Sequence, residues 1–123
     1  MLLKAKMAQV IRDHEPPDTL PLTLSPGDRV LIKHPHPERS GFVWAEDGIM
    51  SAGWVPLEVL DGHSGQAHAT AEFNSSEIAV RAGEPVRLYW EAHGAWWCEN
   101  RDGDRGWVPS ACIAVPIDEP EEP

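Results

Sequence analysis

The four-residue sequence GWVP occurs twice in this chain, at residues 53–56 and again at residues 106–109. The two occurrences begin 53 positions apart in a chain of 123 residues. A repeat with a period of this order indicates that one structural unit is present in two copies. The repeat therefore constrains the fold more than any other feature of the sequence.

The similarity between the two copies extends upstream of each GWVP. Residues 22–32 and residues 78–88 both alternate apolar with other side chains, and a glycine followed by an acidic residue interrupts the alternation in each. Alternation with a period of two, broken by such a turn, is typical of consecutive β-strands. An aromatic strand and a second glycine-containing turn then precede GWVP. The pattern predicts about five short strands in each unit of roughly 55 residues.

Composition agrees with a small all-β protein. The chain has 12 Pro and 10 Gly, which favour many turns, and its hydrophobic content of 41% is sufficient for a core. Sheets this small are expected to curl into barrels. The predicted fold is therefore all-β, with two small five-stranded barrels in tandem.

The predicted boundaries follow the repeat. Barrel 1 is expected over residues 1–61, a short linker over 62–66 and barrel 2 over 67–115. Residues 116–123 are acidic and proline-rich, a composition that predicts a disordered tail.

Charge and composition argue against several classes of partner. The formal net charge is -10, and the ten Lys and Arg residues are scattered along the chain. Nucleic acids and anionic membranes are therefore disfavoured partners. No stretch approaches the ~18 apolar residues of a membrane span, and the N-terminus lacks the features of a signal peptide. These observations predict a cytoplasmic protein in which Cys98 and Cys112 are free, buried thiols.

Specific motifs resemble those of a known family. The second copy contains EIAVRAGE at residues 77–84, then Trp96 and Trp97, then GWVPSACI at residues 106–113. These motifs, in this order, resemble an SH3 domain, and the first copy matches at fewer positions. The chain is similar to a tandem of SH3 domains over nearly its whole length. The resemblance implies an SH3-like fold and binding of proline-rich peptides between aromatic rings.

The resemblance also implies candidate site residues. In the second copy the family's groove falls on Ala71, Phe73, Trp96, Pro109 and Cys112. In the first copy it falls on Arg12, His14, Val43, Pro56 and Val59. Both grooves lack several of the family's rings and are degenerate. Because Trp44 and Trp97 are the pair that the copies share, the position of the groove tryptophan is open by one residue. The candidate partner-binding set is Phe73, Trp96, Trp97, Trp107, Pro109, Cys112, Trp44, Trp54, Pro56 and His14.

Several of these residues also have purely structural interpretations. Trp54 and Trp107 can pack on the barrel wall, and the prolines of GWVP can set the turn that follows them. Cys112 is expected to be an inert thiol because no neighbouring base is evident. His34 and His36 are expected in a solvated loop, without the third ligand that a metal site needs. Glu46 and Glu99, at matched positions, are expected to be exposed.

The predicted function is that of a non-catalytic protein-interaction module. A protein or proline-rich peptide would bind mainly to barrel 2, or to a composite groove between the barrels. The alternative is a structural or accessory domain that docks a subunit of an enzyme assembly and does not use the groove. No nucleophile–base pair, metal cluster or phosphate-binding loop is evident, so neither catalysis nor a cofactor is expected.

Overall fold

The computed structural model describes residues 6–115 of the chain. The described residues form β-strands and two short 3₁₀ helices, Leu57–Val59 and Ser110–Cys112, so the all-β prediction is confirmed. The strands are β1 (Lys6–Val10), β2 (Thr23–Leu24), β3 (Arg29–Pro35), β4 (Phe42–Glu46), β5 (Ala52–Pro56), β6 (Gly65–His68), β7 (Phe73–Asn74), β8 (Pro85–Ala92), β9 (Ala95–Glu99), β10 (Arg105–Pro109) and β11 (Ile113–Ala114). The predicted disordered tail, residues 116–123, lies outside the described residues.

These strands belong to two compact units. Unit 1 contains the described residues up to Pro16 and those from Glu77 onward, whereas unit 2 spans Pro17–Ser76. The chain therefore leaves unit 1 after its first strand, forms the whole of unit 2, and then returns to complete unit 1.

Unit 1 is built on a five-stranded sheet in the order β10-β9-β8-β1-β11. Strand β1 lies between β8 and β11 and is antiparallel to both, with Ala8 opposite Val86 and Val10 opposite Ile113. Its buried side chains enter the core of the unit, where Val10 is 1% exposed. The first strand of the chain is therefore an integral part of a sheet whose other strands all come from the second sequence copy.

Unit 2 contains a four-stranded sheet in the order β5-β4-β3-β6 and the two-stranded pair β2-β7. Strand β6 is antiparallel to β3, with Ala67 opposite Val30. Strand β7 pairs with β2, and this pairing places Phe73 opposite Leu24. Unit 2 therefore takes its last two strands from sequence that the repeat assigns to the second copy.

The two copies thus exchange their first strands, which differs from the predicted boundaries at residues 61 and 67. The chain passes between units after Pro16 and after Ser76. The first crossing point lies between β1 and β2, and the second lies between β7 and β8. Alternation identifies which face of a strand is buried but does not identify its partner strand. The sequence repeat therefore defined the strands but not their assignment to units.

The sheets of the described residues are not closed, so the prediction of two closed or nearly closed barrels is not confirmed. Strands β2, β7 and β11 are only two residues long. Where a closed barrel would continue its ladder, unit 2 has isolated bridges such as Leu60 to Ala69. Strands this short end before the ladder can close.

The GWVP sequence has the same structural role in both units. Val55 and Val108 are each 0% exposed and fill the two cores. Each proline directly precedes one of the 3₁₀ helices, which agrees with its turn-setting interpretation. At Gly53, an added Cβ would clash with Ser75 Oγ. Glycine is therefore required there because a buried serine of unit 2 packs directly against the backbone.

Candidate functional site

The most aromatic surface of unit 1 lies on strands β8, β9 and β10. Trp90 is opposite Trp97 across β8 and β9, and Trp97 is opposite Trp107 across β9 and β10. The Trp90 and Trp97 rings are stacked, with centroids 5.7 Å apart and planes inclined by 10°. The Trp97 and Trp107 rings meet edge to face at 5.3 Å. We call these three side chains the indole row.

The three rings of the indole row differ in their exposure. Trp90 is 53% exposed, Trp97 is half-buried and Trp107 is only 9% exposed. His93 lies in the β8–β9 turn and contacts the Trp107 ring, with the two ring centroids 6.3 Å apart. The row therefore presents one open ring, Trp90, stacked on Trp97, which in turn packs edge to face against the buried Trp107.

A polar cluster fixes the edge of the indole row. The Tyr89 hydroxyl donates a hydrogen bond of 2.7 Å to Glu99 Oε1, and Arg105 Nε donates to the same oxygen at 3.1 Å. The hydrogen bond from Tyr89, together with Arg105, lowers the pKa of Glu99. The same hydrogen bond raises the pKa of Tyr89. Glu99 is therefore an ionised acceptor at neutral pH, half-buried rather than fully exposed as the sequence suggested.

Unit 2 builds a related row at the equivalent strand positions. Trp44 is opposite Trp54, and their rings meet edge to face at 5.0 Å. The third ring is His34, which is opposite Trp44 as Trp90 is opposite Trp97 in unit 1. Its ring contacts that of Trp54, with centroids 5.6 Å apart. Because His34 replaces an indole, unit 2 offers a smaller apolar surface.

His36 organises the loop between β3 and β4. Its ring lies 4.3 Å from that of Trp54, and its Nδ1 accepts hydrogen bonds of 3.0 Å from the backbone N–H groups of Glu38 and Arg39. An atom that accepts two N–H donors carries no proton, so Nδ1 is the unprotonated nitrogen of this ring. No group of three or more potential metal ligands occurs within residues 6–115.

The exchange of first strands redistributes the predicted site residues. Unit 1 brings together His14, Trp96, Trp97, Trp107, Pro109 and Cys112, whereas unit 2 contains Phe73, Trp44, Trp54 and Pro56. The expected combination of Phe73 with Trp96 and Pro109 therefore does not form in unit 1. His14 stands at the equivalent position of that unit.

Burial further divides the predicted set. Phe73 and Cys112 are each 8% exposed and Pro56 is also buried, so these three side chains offer little surface to a partner. Trp96 and Pro109 are half-buried in unit 1. Trp96 packs against the core of that unit, on the face opposite Trp97.

The acidic residues near the first strand pair with basic side chains of unit 1. His14 Nε2 donates a hydrogen bond of 2.7 Å to Glu77 Oε1, and the Glu77 side chain is only 4% exposed. Arg81 contacts Glu15 at 2.6 Å and Asp13 at 3.8 Å. The acids near this strand are therefore already paired within the unit.

Cys98 and Cys112 are buried thiols that are not joined in a disulfide, as predicted. Burial raises the pKa of the Cys98 thiol to about 12. A thiol with such a pKa is almost entirely protonated at neutral pH and is a poor nucleophile. Cys98 is therefore a core residue, and Ala45 takes the matched place in unit 2.

Sequence reasoning missed Trp90, which is the most exposed ring of the indole row. Alternation from the buried residues Val86 and Leu88 would place Trp90 in the core. The register between β8 and β9 shifts between Leu88 and Trp90, and this irregularity turns the indole outward. The nearby doublet of Trp96 and Trp97 was the available signal for an aromatic surface.

Comparisons with known proteins support an SH3 relationship for part of the chain. Residues 68–115 match the family model described as a variant SH3 domain. The matched residues lie in the second copy, so the resemblance is supported for one SH3 domain. No solved structure matches the chain.

Two curated relatives align with part of the chain. The mouse proline-serine-threonine phosphatase-interacting protein 1 is 28% identical over 100 residues, which cover 81% of this chain and 23% of the relative. The human protein of the same name is 26% identical over 100 residues, covering 81% of this chain and 24% of that protein. The chain thus spans about a quarter of the length of these relatives. The SH3 match and these relatives indicate a protein-interaction module.

No helix among residues 6–115 is both long enough and apolar enough to cross a bilayer.

Proposed function

We propose that this chain is a non-catalytic interaction module, built on two SH3-like units, that binds a protein or peptide partner through the indole row of unit 1. The observation that carries the proposal is the exposure of Trp90, at 53%, on top of the stacked Trp97 ring. Tryptophan is enriched among the residues that dominate binding energy at protein interfaces. An open indole stacked on a second, half-buried indole is therefore a strong anchor for a partner.

The rigidity of the indole row also favours binding. Trp90 and Trp97 are stacked, and Arg105 lies over the Tyr89 ring at 5.0 Å while bonding to Glu99. Side chains that are already ordered lose little conformational entropy when a partner docks. Proline rings pack well against such flat aromatic surfaces, so a proline-rich segment is the proposed ligand.

Trp96 and Pro109 are half-buried in unit 1, and Trp96 belongs to a separate surface because it lies on the sheet face opposite Trp97. Strand pairing places Trp96 opposite Glu91, and Ser110 Oγ donates a hydrogen bond of 2.7 Å to Glu91 Oε2. In this proposal Phe73, Pro56 and Cys112 support the fold, and Trp44 and Trp54 form a weaker second surface with His34. The names of the relatives describe interaction with a phosphatase, which supports a protein partner for this chain as well. Buried cysteines that form no disulfide suit the reducing cytoplasm, which is the proposed location.

Substitution of Trp90 tests this proposal. We expect Trp90→Ala to weaken binding of a proline-rich peptide, selected from a library, by about 30-fold, because such an anchor contributes ~2 kcal/mol or more. The measurement is a titration followed by the NMR shifts of the indole N–H groups. His34→Ala is the matched control, since it changes the equivalent ring of unit 2. The proposal fails if no peptide shifts Trp90 or Trp97, or if the Trp90 variant binds like the unsubstituted chain.

The alternative is a structural or accessory role, in which the chain docks a folded subunit of an enzyme assembly. The burial of Pro56 and Phe73 and the pairing of Glu15 with Arg81 favour this candidate, because they leave little of a peptide groove open. Affinity purification distinguishes the two functions. Recovery of one stoichiometric folded partner, unaffected by Trp90→Ala, would support the docking role.

A further inference from the structure

The two first strands fit their sheets through the same backbone contacts. Ala8 of β1 lies opposite Val86, and Ala67 of β6 lies opposite Val30, at the equivalent position. The Val10 carbonyl accepts a hydrogen bond of 2.7 Å from Gly83, and the Ala69 carbonyl accepts one of 2.8 Å from Gly27. Backbone pairing alone therefore does not determine which first strand enters which unit.

Two arrangements must be distinguished. In the exchanged pairing, which the structure shows, residues 6–14 complete the second copy and residues 65–73 complete the first copy. In the own-strand pairing, each first strand would instead pair within its own sequence copy. The backbone contacts of the paired strands would be equivalent in the two arrangements, whereas the side chains at the pairing positions differ.

The residues at positions 14 and 73 differ in a way that favours the exchange. His14 donates to Glu77, whose side chain is 4% exposed, whereas Phe73 is buried opposite Leu24. Own-strand pairing would place the Phe73 ring beside the Glu77 carboxylate and the His14 imidazole against Leu24. A buried carboxylate beside a phenyl ring, and a polar ring in an apolar site, are both unfavourable.

The residues at positions 10 and 69 also match their observed units. Unit 1 combines Val10 with Val80 in its core, whereas unit 2 combines Ala69 with Leu24 at the equivalent positions. The larger first-strand residue, Val10, is therefore combined with the smaller Val80. The smaller first-strand residue, Ala69, is combined with the larger Leu24. Own-strand pairing would overfill one core and underfill the other, and close-packed interiors resist both changes.

Asp13 supplies a third match. Its Oδ1 accepts a hydrogen bond of 2.8 Å from the Ala82 backbone N–H, and Arg81 lies 3.8 Å from its other oxygen. The positions equivalent to Arg81 and Ala82 in the first copy are Ser25 and Pro26. Proline has no N–H and serine has no positive charge. Asp13 therefore finds its donors only in the exchanged pairing.

We propose that the side chains of segments 10–14 and 69–73 select the exchanged pairing, by matching each first strand to the core and charges of the other sequence copy. In this proposal the side chains of the two segments determine which unit each first strand joins. This property is independent of the indole row and of any partner that binds there.

Reciprocal replacement of the two segments in the full chain tests the proposal. The segment-exchanged variant carries V10A, I11T, R12A, D13E, H14F, A69V, T70I, A71R, E72D and F73H. This variant restores most of the matched contacts only if each strand now pairs within its own copy. We therefore expect it to adopt the own-strand pairing.

Engineered disulfides report which pairing forms. Leu31 and Gln66 are directly opposite in the exchanged pairing, and Arg87 is the residue equivalent to Leu31 in the second copy. Opposed residues of antiparallel strands lie at distances that a disulfide can span. Introduced alone, L31C with Q66C should cross-link, whereas R87C with Q66C should not. In the segment-exchanged variant the two results should be reversed, as read by mass spectrometry of the monomer.

A half-exchanged variant with only V10A, D13E and H14F provides the control. This variant removes the matched contacts of the first strand in unit 1 but does not supply the substitutions in residues 69–73 that complete the own-strand pairing. We therefore expect a lower melting temperature than for the unsubstituted chain or the fully exchanged variant. The proposal is overturned if the fully exchanged variant still cross-links through residues 31 and 66. It is also overturned if that variant does not fold, or is no more stable than the half-exchanged one.

Discussion

Residues 17–76, produced as a separate fragment, are expected to fold on their own. All strands of unit 2 lie within this segment, and so do the pairings of β3 with β6 and of β2 with β7. By contrast, residues 1–61 contain the first sequence copy but lack Ala67, Ala69 and Phe73 of that core. Loss of a buried phenylalanine alone costs about 3–5 kcal/mol.

Denaturant unfolding of the two fragments measures this difference. We expect a cooperative transition for 17–76 and a free energy of unfolding for 1–61 that is lower by at least about 3 kcal/mol. As a control, a variant in which a short Gly-Ser linker joins Pro16 to Glu77 lacks unit 2. We expect unit 1 to remain folded in this variant. Equal stability of 1–61 and 17–76 would contradict the observed strand pairing.

The second large effect is expected from Phe73→Ala in the full chain. Phe73 is 8% exposed and lies opposite Leu24, so its truncation should destabilise unit 2 by about 3–5 kcal/mol. The damage should therefore fall on the unit that contains Trp44 and Trp54. If Phe73 instead packed with the other strands of its own sequence copy, the damage would fall on the unit that contains Trp107.

Indole N–H resonances distinguish these outcomes. As denaturant is added to the Phe73 variant, the signals of Trp44 and Trp54 should disappear before those of Trp90 and Trp107. His14→Ala is the matched control, because it removes the hydrogen bond to Glu77 and should destabilise unit 1. Early loss of the Trp107 signal in the Phe73 variant would show that Phe73 packs in unit 1, and this would contradict the observed fold.

Much of the local structure follows from the sequence. Alternation around Val30 and Val86 correctly predicted buried strands, and the GWVP repeat correctly predicted matched positions for Val55 and Val108. These features depend on local periodicity and on turn residues, which a single sequence records well.

The assignment of first strands could not be predicted in the same way. Ala8 and Ala67 carry the same alternating pattern, and their potential partners Val86 and Val30 are identical residues. The choice depends on long-range matches, such as His14 with Glu77, that become visible only once the strands are paired. The indole row was missed for a different reason, because the irregularity before Trp90 reverses the face expected from alternation.

The exchange also determines which side chains can act together in a partner site. With exchanged first strands, His14 belongs to the unit that contains Trp96 and Pro109, and Phe73 belongs to the unit that contains Pro56. The candidate surface of unit 1 therefore rests on its tryptophans more than on the ring expected at the first strand. This is why Trp90, rather than Phe73, is the residue chosen to test binding.

Nuclear Overhauser effects between strands test the pairing most directly, because they need no substitution. The structure places Ala67 opposite Val30 and Ala8 opposite Val86, so backbone contacts should be observed within these two pairs. Contacts of Ala67 with Val86 and of Ala8 with Val30 in the monomeric chain would instead show that each copy keeps its own first strand, and would contradict the fold described above.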